Sequence, residues 1–135
     1  MIGKKTAIIT GGGGNIGRST AQRLSRDGAN LGVCDINLEA ARRVANEIVA
    51  AGGNATPVGV DIRNSQDVNR AVDALVDTYG KIDILVHAAG GSARERMRDL
   101  HEQTDEVIQD IIGVNLMGGI YFARARSEEH TSETP

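Results

Sequence analysis

The feature of this sequence that most constrains its fold is the run TGGGGNIG from Thr10 to Gly17, in which five of eight residues are glycine. A short apolar run, Lys5 to Thr10, precedes it, and a segment with helical periodicity from about Ile16 to Asp27 follows it. A glycine-rich turn between a strand and a helix lets the backbone approach a pyrophosphate, and the free N–H groups at the start of the helix favour an anion. The run therefore predicts a phosphate-binding loop, although taken alone it fits a flexible turn equally well.

Short β-type runs alternate with helical stretches along the rest of the chain. Strand two is predicted at Asn30 to Asp35 and strand three at Ala55 to Val60, where Pro57 indicates an edge position because proline cannot donate to a sheet ladder. Strand four is predicted at Ile82 to His87, an apolar run typical of a strand covered on both faces. This alternation predicts an α/β fold built of βαβ units, with a parallel sheet and right-handed crossovers.

The helices are predicted from apolar positions that repeat with a 3.6-residue period. Asn37 is the predicted cap of the helix after strand two, and Ser65 that of the helix after strand three. A last helix is predicted from Thr104 to about Arg124. Its inward-facing stripe is predicted to comprise Ile108, Ile111, Ile112, Asn115, Gly119 and Phe122.

Asp35 ends predicted strand two, at the position where an adenosine ribose would lie beyond the glycine loop. A carboxylate there can accept both ribose hydroxyls and would repel a 2′-phosphate. Two unit charges about 4 Å apart cost ~1 kcal/mol in water and ~4 kcal/mol at an intermediate dielectric, so NAD is predicted to be favoured over NADP by several-fold to nearly a thousand-fold. No Arg or Lys adjoins Asp35 to reverse that preference. A capping role for Asp35 is the weaker interpretation, because Asn37 can serve as the cap.

Other candidate site residues follow strands three and four or interrupt the last helix. Asp61 follows predicted strand three, and the small residues Ala88 to Gly91 follow strand four, at the strand ends where open α/β sheets bind ligands. Asn115 lies in the predicted inward stripe, and a buried amide left unpaired costs about 1–3 kcal/mol. It is therefore either a hydrogen-bonded core residue or a positioned site residue.

Composition and charge exclude several classes of function. The net charge of −3 gives no reason to expect binding to nucleic acid or to an anionic membrane. The first apolar run is too short for a signal peptide or a membrane span, and Cys34, the one cysteine, cannot form an internal disulfide. A cytoplasmic protein is expected.

The last ten residues, Arg126 to Pro135, contain no large apolar side chain. Arg126 to Glu133 resembles the translation of a common short-read sequencing adapter. The predicted organisation is therefore a single incomplete NAD-binding domain over residues 1–125 and a tail over residues 126–135 that is disordered or not native.

Residues 1 to about 125 resemble the N-terminal half of a classical short-chain dehydrogenase/reductase, particularly the branch of 3-oxoacyl-carrier-protein reductases and sugar or alcohol dehydrogenases. The stretches TGGGGNIG, VGVDI, YGKIDILVHAAG and GVNLMG, together with Asp35, have the order and spacing of that family. The resemblance implies a Rossmann-type, doubly wound parallel sheet in the order 3-2-1-4, here truncated after the fourth strand and the following helix. It also implies NAD(P)-dependent oxidation of a hydroxyl or reduction of a carbonyl on a small alcohol or ketone. It also implies a homodimer or homotetramer for the full-length protein.

The resemblance assigns roles to individual residues and implies no metal. Asn115 would be the family's catalytic asparagine, whose backbone kinks the helix and holds a water of a proton relay. The pyrophosphate would lie at the glycine loop, the adenosine at the ends of strands two and three, and the second ribose at the turn after strand four. The cofactor-binding residues so implied are Gly11, Gly14, Asn15, Ile16, Gly17, Asp35, Ile36, Asp61, Ile62, Ala88, Ala89 and Gly90.

Two departures from the family pattern leave alternatives open. Asn15 replaces the family's usual middle glycine, and glycines at 11, 14 and 17 also fit the extended, epimerase-like branch. His87 and Ala88 stand where the family usually has two asparagines. His87 is therefore expected either to bind or merely to pack.

The family's catalytic serine and Tyr-x-x-x-Lys lie beyond the last residue of this sequence. Tyr79 and Tyr121 cannot substitute, because Asp83 and Ala125 stand four residues after them. We therefore expect a fragment of an NAD-dependent oxidoreductase that is itself inactive and marginally folded, with strand four as an unpaired edge. The alternatives are a non-catalytic NAD-binding module and an extended-type epimerase or dehydratase.

Overall fold

Strands and helices alternate along the chain from Thr6 onward in a computed structural model that describes residues 3–91, 96 and 98–131. The strands are β1 (Thr6–Thr10), β2 (Asn30–Asp35), β3 (Asn54–Gly59) and β4 (Ile84–His87). The helices are α1 (Asn15–Arg26), α2 (Leu38–Ala50), α3 (Ser65–Tyr79), α4 (Asp105–Ile112) and α5 (Gly118–Thr131). A π-helical segment, Gly113–Met117, joins α4 to α5, and a 3₁₀ turn, Leu100–Glu102, precedes α4.

The four strands form one parallel sheet in the order β3-β2-β1-β4, which confirms the predicted order. β1 is buried along its whole length between β2 and β4, and Ile8 lies opposite Gly32 on one side and Leu85 on the other. Parallel neighbours need crossover connections, which the helices provide. All four strands therefore end at the same edge of the sheet.

Alternate residues of β1 enter two separate hydrophobic cores, one on each face of the sheet. Ile8 belongs to the core formed with α3 and α5, where Leu75 and Phe122 are fully buried. Ile9 belongs to the core formed with α1 and α2, where Val44 and Ile48 are buried. Helices on both faces make this a doubly wound sheet, as predicted.

The two edge strands compare differently with prediction. β3 lies at the edge of the sheet, as Pro57 predicted, whereas β4 packs on the cores of both faces, through Leu85 on one and Ile84 and Val86 on the other, without being fully buried. All four residues of β4 are partly exposed, because within the described residues β4 pairs with β1 alone. β4 also begins at Ile84 rather than Ile82, because Asp83 instead exchanges hydrogen bonds with the backbone of Thr6 through its own N–H and its carboxylate. The predicted ends of strands one and three and of the first helix differ by one residue.

The caps of α2 and α3 are both asparagines. Asn37 accepts a hydrogen bond from the N–H of Ala40 at 3.2 Å, as predicted. The prediction of Ser65 as the cap of α3 was wrong, because Asn64 precedes it in an extended conformation and accepts from the N–H groups of Gln66 and Asp67. Ser65 is the first residue of the helix.

Replacing Asn64 with alanine is expected to lower the free energy of unfolding by about 1 kcal/mol, because two N–H groups of the first turn lose their acceptor. The measurement is urea denaturation followed by circular dichroism. Ser65→Ala is the matched control and should change stability by less than half as much. An equal loss in both variants would contradict the assignment of the cap.

The helix predicted from Thr104 to Arg124 is interrupted by the π-helical segment, and its inward face differs from prediction. Ile108 and Ile112 are 39% and 47% exposed, whereas Val107 and Phe122 are buried. Asn115 is exposed, so the prediction that it faces the core was wrong. A π turn holds more residues than an α turn, so positions after it are rotated away from a constant 3.6-residue period.

The helix also runs further than predicted. α5 continues through Thr131, while residues 132–135 of the predicted tail lie outside the described part of the chain. Arg126 donates hydrogen bonds to the carbonyls of Ile82 and Asp83, just before β4. Across the described ranges, no helix is both long enough and apolar enough to cross a bilayer.

Candidate active site

A cleft of about 410 Å³ opens where the four strands end. Its lining brings together nine predicted site residues: Gly11, Gly14, Asp35, Ile36, Asp61, Ile62, Ala88, Ala89 and Gly90. Sequence reasoning missed three others, namely Val60, Arg63 and Val114. Val60 and Arg63 flank the predicted pair Asp61 and Ile62, but no local pattern indicates that Arg63 turns into the cleft.

The glycine loop packs tightly against the turn after β4 and against itself. Gly11 has φ +63°, and a Cβ atom there would lie 2.8 Å from the Ala89 nitrogen. Gly17 is buried, and a Cβ atom on it would lie 2.2 Å from the Gly11 carbonyl oxygen. Gly17 therefore allows α1 to start directly under the loop, and it does not itself line the cleft.

The start of α1 differs from the starts of α2, α3 and α4. Those helices are capped by the side chains of Asn37, Asn64 and Thr104. α1 has Gly14 as its N-cap, which offers no side-chain acceptor. The first N–H groups of α1 thus stay available to an anion at the glycine loop. Asn15 and the 76% exposed Ile16 form this first turn but do not line the cleft.

The carboxylate of Asp35 is held between the glycine loop and the start of α2. One oxygen accepts from the N–H of Gly13 at 3.0 Å, and the other accepts from the N–H of Asn37 at 2.9 Å. Each carboxylate oxygen has two acceptor sites, so both oxygens keep one for a ligand. This geometry suits a pair of neighbouring hydroxyl groups.

Asp61 lies at the end of the segment that follows β3, and Arg63 binds its carboxylate. The guanidinium donates to both oxygens at 3.0 Å, and the N–H of Arg63 donates to one of them. The hydrogen bonds from Arg63 lower the pKa of Asp61 against the opposing effect of burial. Oδ1 is therefore fully used, and Oδ2 keeps one acceptor site.

His87 links the start of the glycine loop to the turn after β4 without lining the cleft. Its Nδ1 lies 2.8 Å from the Thr10 hydroxyl, whose oxygen also accepts from the N–H of Ala89 at 3.3 Å. The ring packs on α5, where a Cβ atom on Gly119 would lie 3.0 Å from it. His87 does not line the cleft, so of its two predicted roles the structure shows packing.

Asn115 lies in the middle of the π-helical segment and holds the end of the turn after β4. Its Nδ2 donates to the carbonyls of Gly91 at 2.7 Å and Ile111 at 2.9 Å, and its Oδ1 accepts from the N–H of Gly91 at 3.3 Å. The break in helical regularity at Asn115 agrees with the kink that the family resemblance implied. Asn115 adjoins the cleft but does not line it.

Asp67 supports the loop that carries Asp61, and we expect it to make the stability of the fold depend on pH. It accepts hydrogen bonds from the Asp61 N–H at 2.8 Å and from Arg70 at 2.8 Å, and these bonds lower its pKa below the ordinary value near 3.8.

A pKa that is lowered in the folded state stabilises the fold at pH values above the ordinary pKa. This stabilisation is lost as the pH falls through the lowered pKa. Asp67→Asn should therefore reduce stability at pH 7 and flatten its fall below about pH 4. Urea denaturation at a series of pH values measures both effects, and an unchanged slope would contradict the role of Asp67.

The parallel sheet and the cleft at its carboxyl edge define a dinucleotide-binding domain of the Rossmann type. Residues 5–133 match the family model of the short chain dehydrogenases. The 3beta-hydroxysteroid dehydrogenase 2 of Eggerthella lenta is 35% identical over 124 residues, which cover 92% of this chain and 47% of that protein. The chain therefore belongs to the short-chain dehydrogenase/reductase family.

Solved structures agree with this assignment. A metagenomic short-chain oxidoreductase in complex with NADP matches with a TM-score of 0.89 and 28% sequence identity. The match covers 96% of this chain and 58% of the chain of that oxidoreductase. An NAD+-bound xylitol dehydrogenase matches with a TM-score of 0.89 and 26% sequence identity. This match covers 98% of this chain and 50% of the dehydrogenase chain. The chain thus spans about half the length of these family members, of which one was solved with NADP and the other with NAD+.

Proposed function

We propose that this chain is the cofactor-binding half of an NAD-dependent oxidoreductase that interconverts a hydroxyl and a carbonyl group on a small molecule. One observation carries the proposal. The glycine loop, Asp35, Asp61 and the turn after β4 converge on a single cleft at the carboxyl edge of a parallel sheet. Small-molecule alcohols or ketones are the proposed substrates, because the relatives include a hydroxysteroid and a xylitol dehydrogenase.

The residues of the cleft fit a dinucleotide from one end to the other. The pyrophosphate would lie against Gly11, Gly14 and the uncapped first turn of α1 at Asn15, where backbone N–H groups supply the donors. Gly17 would act indirectly, by letting α1 begin under the loop. When bound, NAD supplies the hydride acceptor of the reaction, while this chain binds and orients it.

The adenosine would lie between the ends of β2 and β3. Asp35 would accept its ribose hydroxyls, beside the exposed side chain of Ile36. Asp61 and Ile62 would border the adenine, with the free acceptor site of Asp61 Oδ2 available to its amino group. The second ribose would rest against Ala88, Ala89 and Gly90.

A preference for NAD over NADP is supported by the charges around the ribose position. Asp35 presents an ionised carboxylate there. Arg63 is the one basic residue among the described residues that line the cleft. Its guanidinium group already donates hydrogen bonds to Asp61 and to Asp110. A 2′-phosphate would therefore meet a negative charge with no free positive charge to balance it.

Asn115 is the proposed active-site asparagine of the complete protein, and the remaining catalytic residues would follow in its second half. Tyr-x-x-x-Lys does not occur in the 135 residues, and we propose that the second half of the complete protein supplies the group that moves the proton of the reacting oxygen. A non-catalytic NAD-binding module is the second candidate, favoured by the same observation. The match to the short chain dehydrogenases argues against the extended, epimerase-like branch.

The complete protein is proposed to act in the cytoplasm as a homodimer or homotetramer. An apolar stripe along α4, the π-helical segment and α5 supports an assembly through this face. Its members are spaced four residues apart and are 39–56% exposed: Ile108, Ile112, Leu116 and Ile120. Stripes of this kind on a soluble protein commonly mark an interface.

The test is to titrate the purified 135-residue chain with NAD and then assay it with secondary alcohols at 340 nm. We expect saturable binding without turnover, because loss of the proton-transfer group alone typically costs 10²–10⁴-fold in rate. Absence of binding by a folded chain would refute the proposed function. Measurable turnover would refute the assignment of catalysis to a missing half.

A further inference from the structure

We infer that Arg63 is a positioning residue that connects the adenosine end of the cleft to Asn115, so that adenosine binding moves the backbone of the π-helical segment. The inference rests on the proposed function, since it assumes that the cleft holds a dinucleotide. It arises from one juxtaposition. The guanidinium of Arg63 bridges Asp61, at the end of the strand-three segment, and Asp110, in the last turn of α4.

The bridge is made of well-formed charged hydrogen bonds. Arg63 binds both oxygens of Asp61 in a planar fork, and its remaining terminal nitrogen donates to Asp110 Oδ1 at 2.9 Å. Arg96 binds the other oxygen of Asp110 with two donors at 3.1 Å. Four alternating charges thus run from Asp61 in the cleft through Arg63 and Asp110 to Arg96. A lysine could not reproduce this arrangement, because an ammonium group lacks the planar fork.

The loop that contains Arg63 also packs against both ends of the π-helical segment. The Arg63 Cγ lies against Gly113, where a Cβ atom would be 3.1 Å away. The neighbouring Ile62 lies against Gly118, where a Cβ atom would be 2.7 Å from its side chain. Asn115 is midway between these two contacts. A shift of the loop on adenosine binding must therefore move the backbone on both sides of Asn115.

An ordinary surface ion pair would not have this consequence. Exposed pairs contribute little, and Arg63 is 40% exposed on its side chain. Its importance lies in the elements it joins, because its partners Asp61 and Asp110 are on different elements and one of them lines the cleft. Asn115 itself does not line the cleft and binds Gly91 and Ile111, so a direct route would have to run through its neighbours Val114 and Gly90, and loss of the Arg63 bridge distinguishes the two routes.

The experiment uses the ¹⁵N-labelled chain and AMP, a ligand that fills only the adenosine end. The N–H of Gly13, bonded to Asp35, reports the arrival of AMP, and the side-chain amide of Asn115 reports transmission. In the wild type we expect AMP to shift both signals. In Arg63→Gln we expect the Gly13 shift to remain and the Asn115 shift to be lost. The affinity for NAD relative to AMP should fall about 3- to 10-fold.

Two further variants make the outcome decisive. Arg42→Gln removes an equivalent exposed arginine that pairs with Glu39 on α2, and it should behave as the wild type. Asp110→Asn keeps the pair between Arg63 and Asp61 but weakens the far end of the bridge, and it should lose the Asn115 response even if Arg63→Gln does not fold. A wild-type Asn115 response in a folded Arg63→Gln or in Asp110→Asn would overturn the inference and leave the proposed function intact. Failure of AMP to shift Gly13 in the wild type would overturn the proposed function and the inference with it.

Discussion

Replacing Gly17 with alanine should weaken NAD binding by about 100-fold, the size of effect that a misplacement of about 1 Å in a site can produce. The new Cβ atom would lie 2.2 Å from the carbonyl oxygen of Gly11, and this contact joins two backbone segments with no flexible side chain to yield. The loop and the start of α1 must therefore separate, which moves the N–H groups proposed to hold the pyrophosphate. The same overpacking should lower the free energy of unfolding by about 1–3 kcal/mol.

Isothermal titration with NAD and urea denaturation would measure the two effects of Gly17→Ala. Gly59→Ala is the matched control, because its Cβ atom would meet only the side chain of Leu38, at 3.3 Å or more. That variant should bind NAD as the wild type does. Normal NAD affinity in a folded Gly17→Ala would show that the contact under the loop does not position the site.

Replacing Asp35 with asparagine should reduce the preference for NAD over NADP by about 10- to 100-fold, because the charge that repels a 2′-phosphate is removed. Affinity for NAD should fall in the same variant. Gly13 and Asn37 donate to different oxygens of Asp35, and in asparagine one of these positions is an amide nitrogen, which cannot accept. One of these two backbone donors would therefore lose its partner.

Parallel titrations with NADH and NADPH, monitored by the fluorescence of these reduced cofactors, would determine this ratio. Asp77→Asn on the exposed face of α3 makes the same change in net charge away from the cleft, and it should leave the ratio unaltered. If the wild type bound NADP as tightly as NAD, the assignment of Asp35 would be wrong. A further arginine or lysine would then have to reach the 2′-phosphate.

Much of the fold could be predicted from local patterns. The parallel sheet followed from the alternation of strands and helices, the edge position of β3 from Pro57, and the cap of α2 from Asn37. These features depend on residues close together in the chain, where periodicity and turn chemistry act directly. The cap of α3 was misplaced by one residue because Asn64 and Ser65 are both good caps, and only the extended backbone at Asn64 distinguishes them.

The last helix was predicted less well, because its regularity is broken where it meets the rest of the fold. A constant period placed Asn115 in the core, but the π-helical segment turns it outward, towards Gly91. Nothing in the periodicity of the surrounding residues indicates such a segment. The contacts of Ile62 and Arg63 with Gly113 and Gly118 accompany it, and these involve residues about 50 positions apart, a separation at which local pattern carries no signal.

The sequence by itself determined the parallel sheet and the glycine loop, because each follows from spacing along a strand or from the chemistry of a turn, and its resemblance to a known family completed the nine predicted residues that line the cleft. Only the tertiary structure decided which polar groups meet across the cleft. It paired Thr10 with His87, 77 residues apart, and Arg63 with Asp110, 47 residues apart. The physical reason is that hydrogen bonds and ion pairs act over about 3 Å in space, and distant segments come that close only when the sheet and its helices are packed.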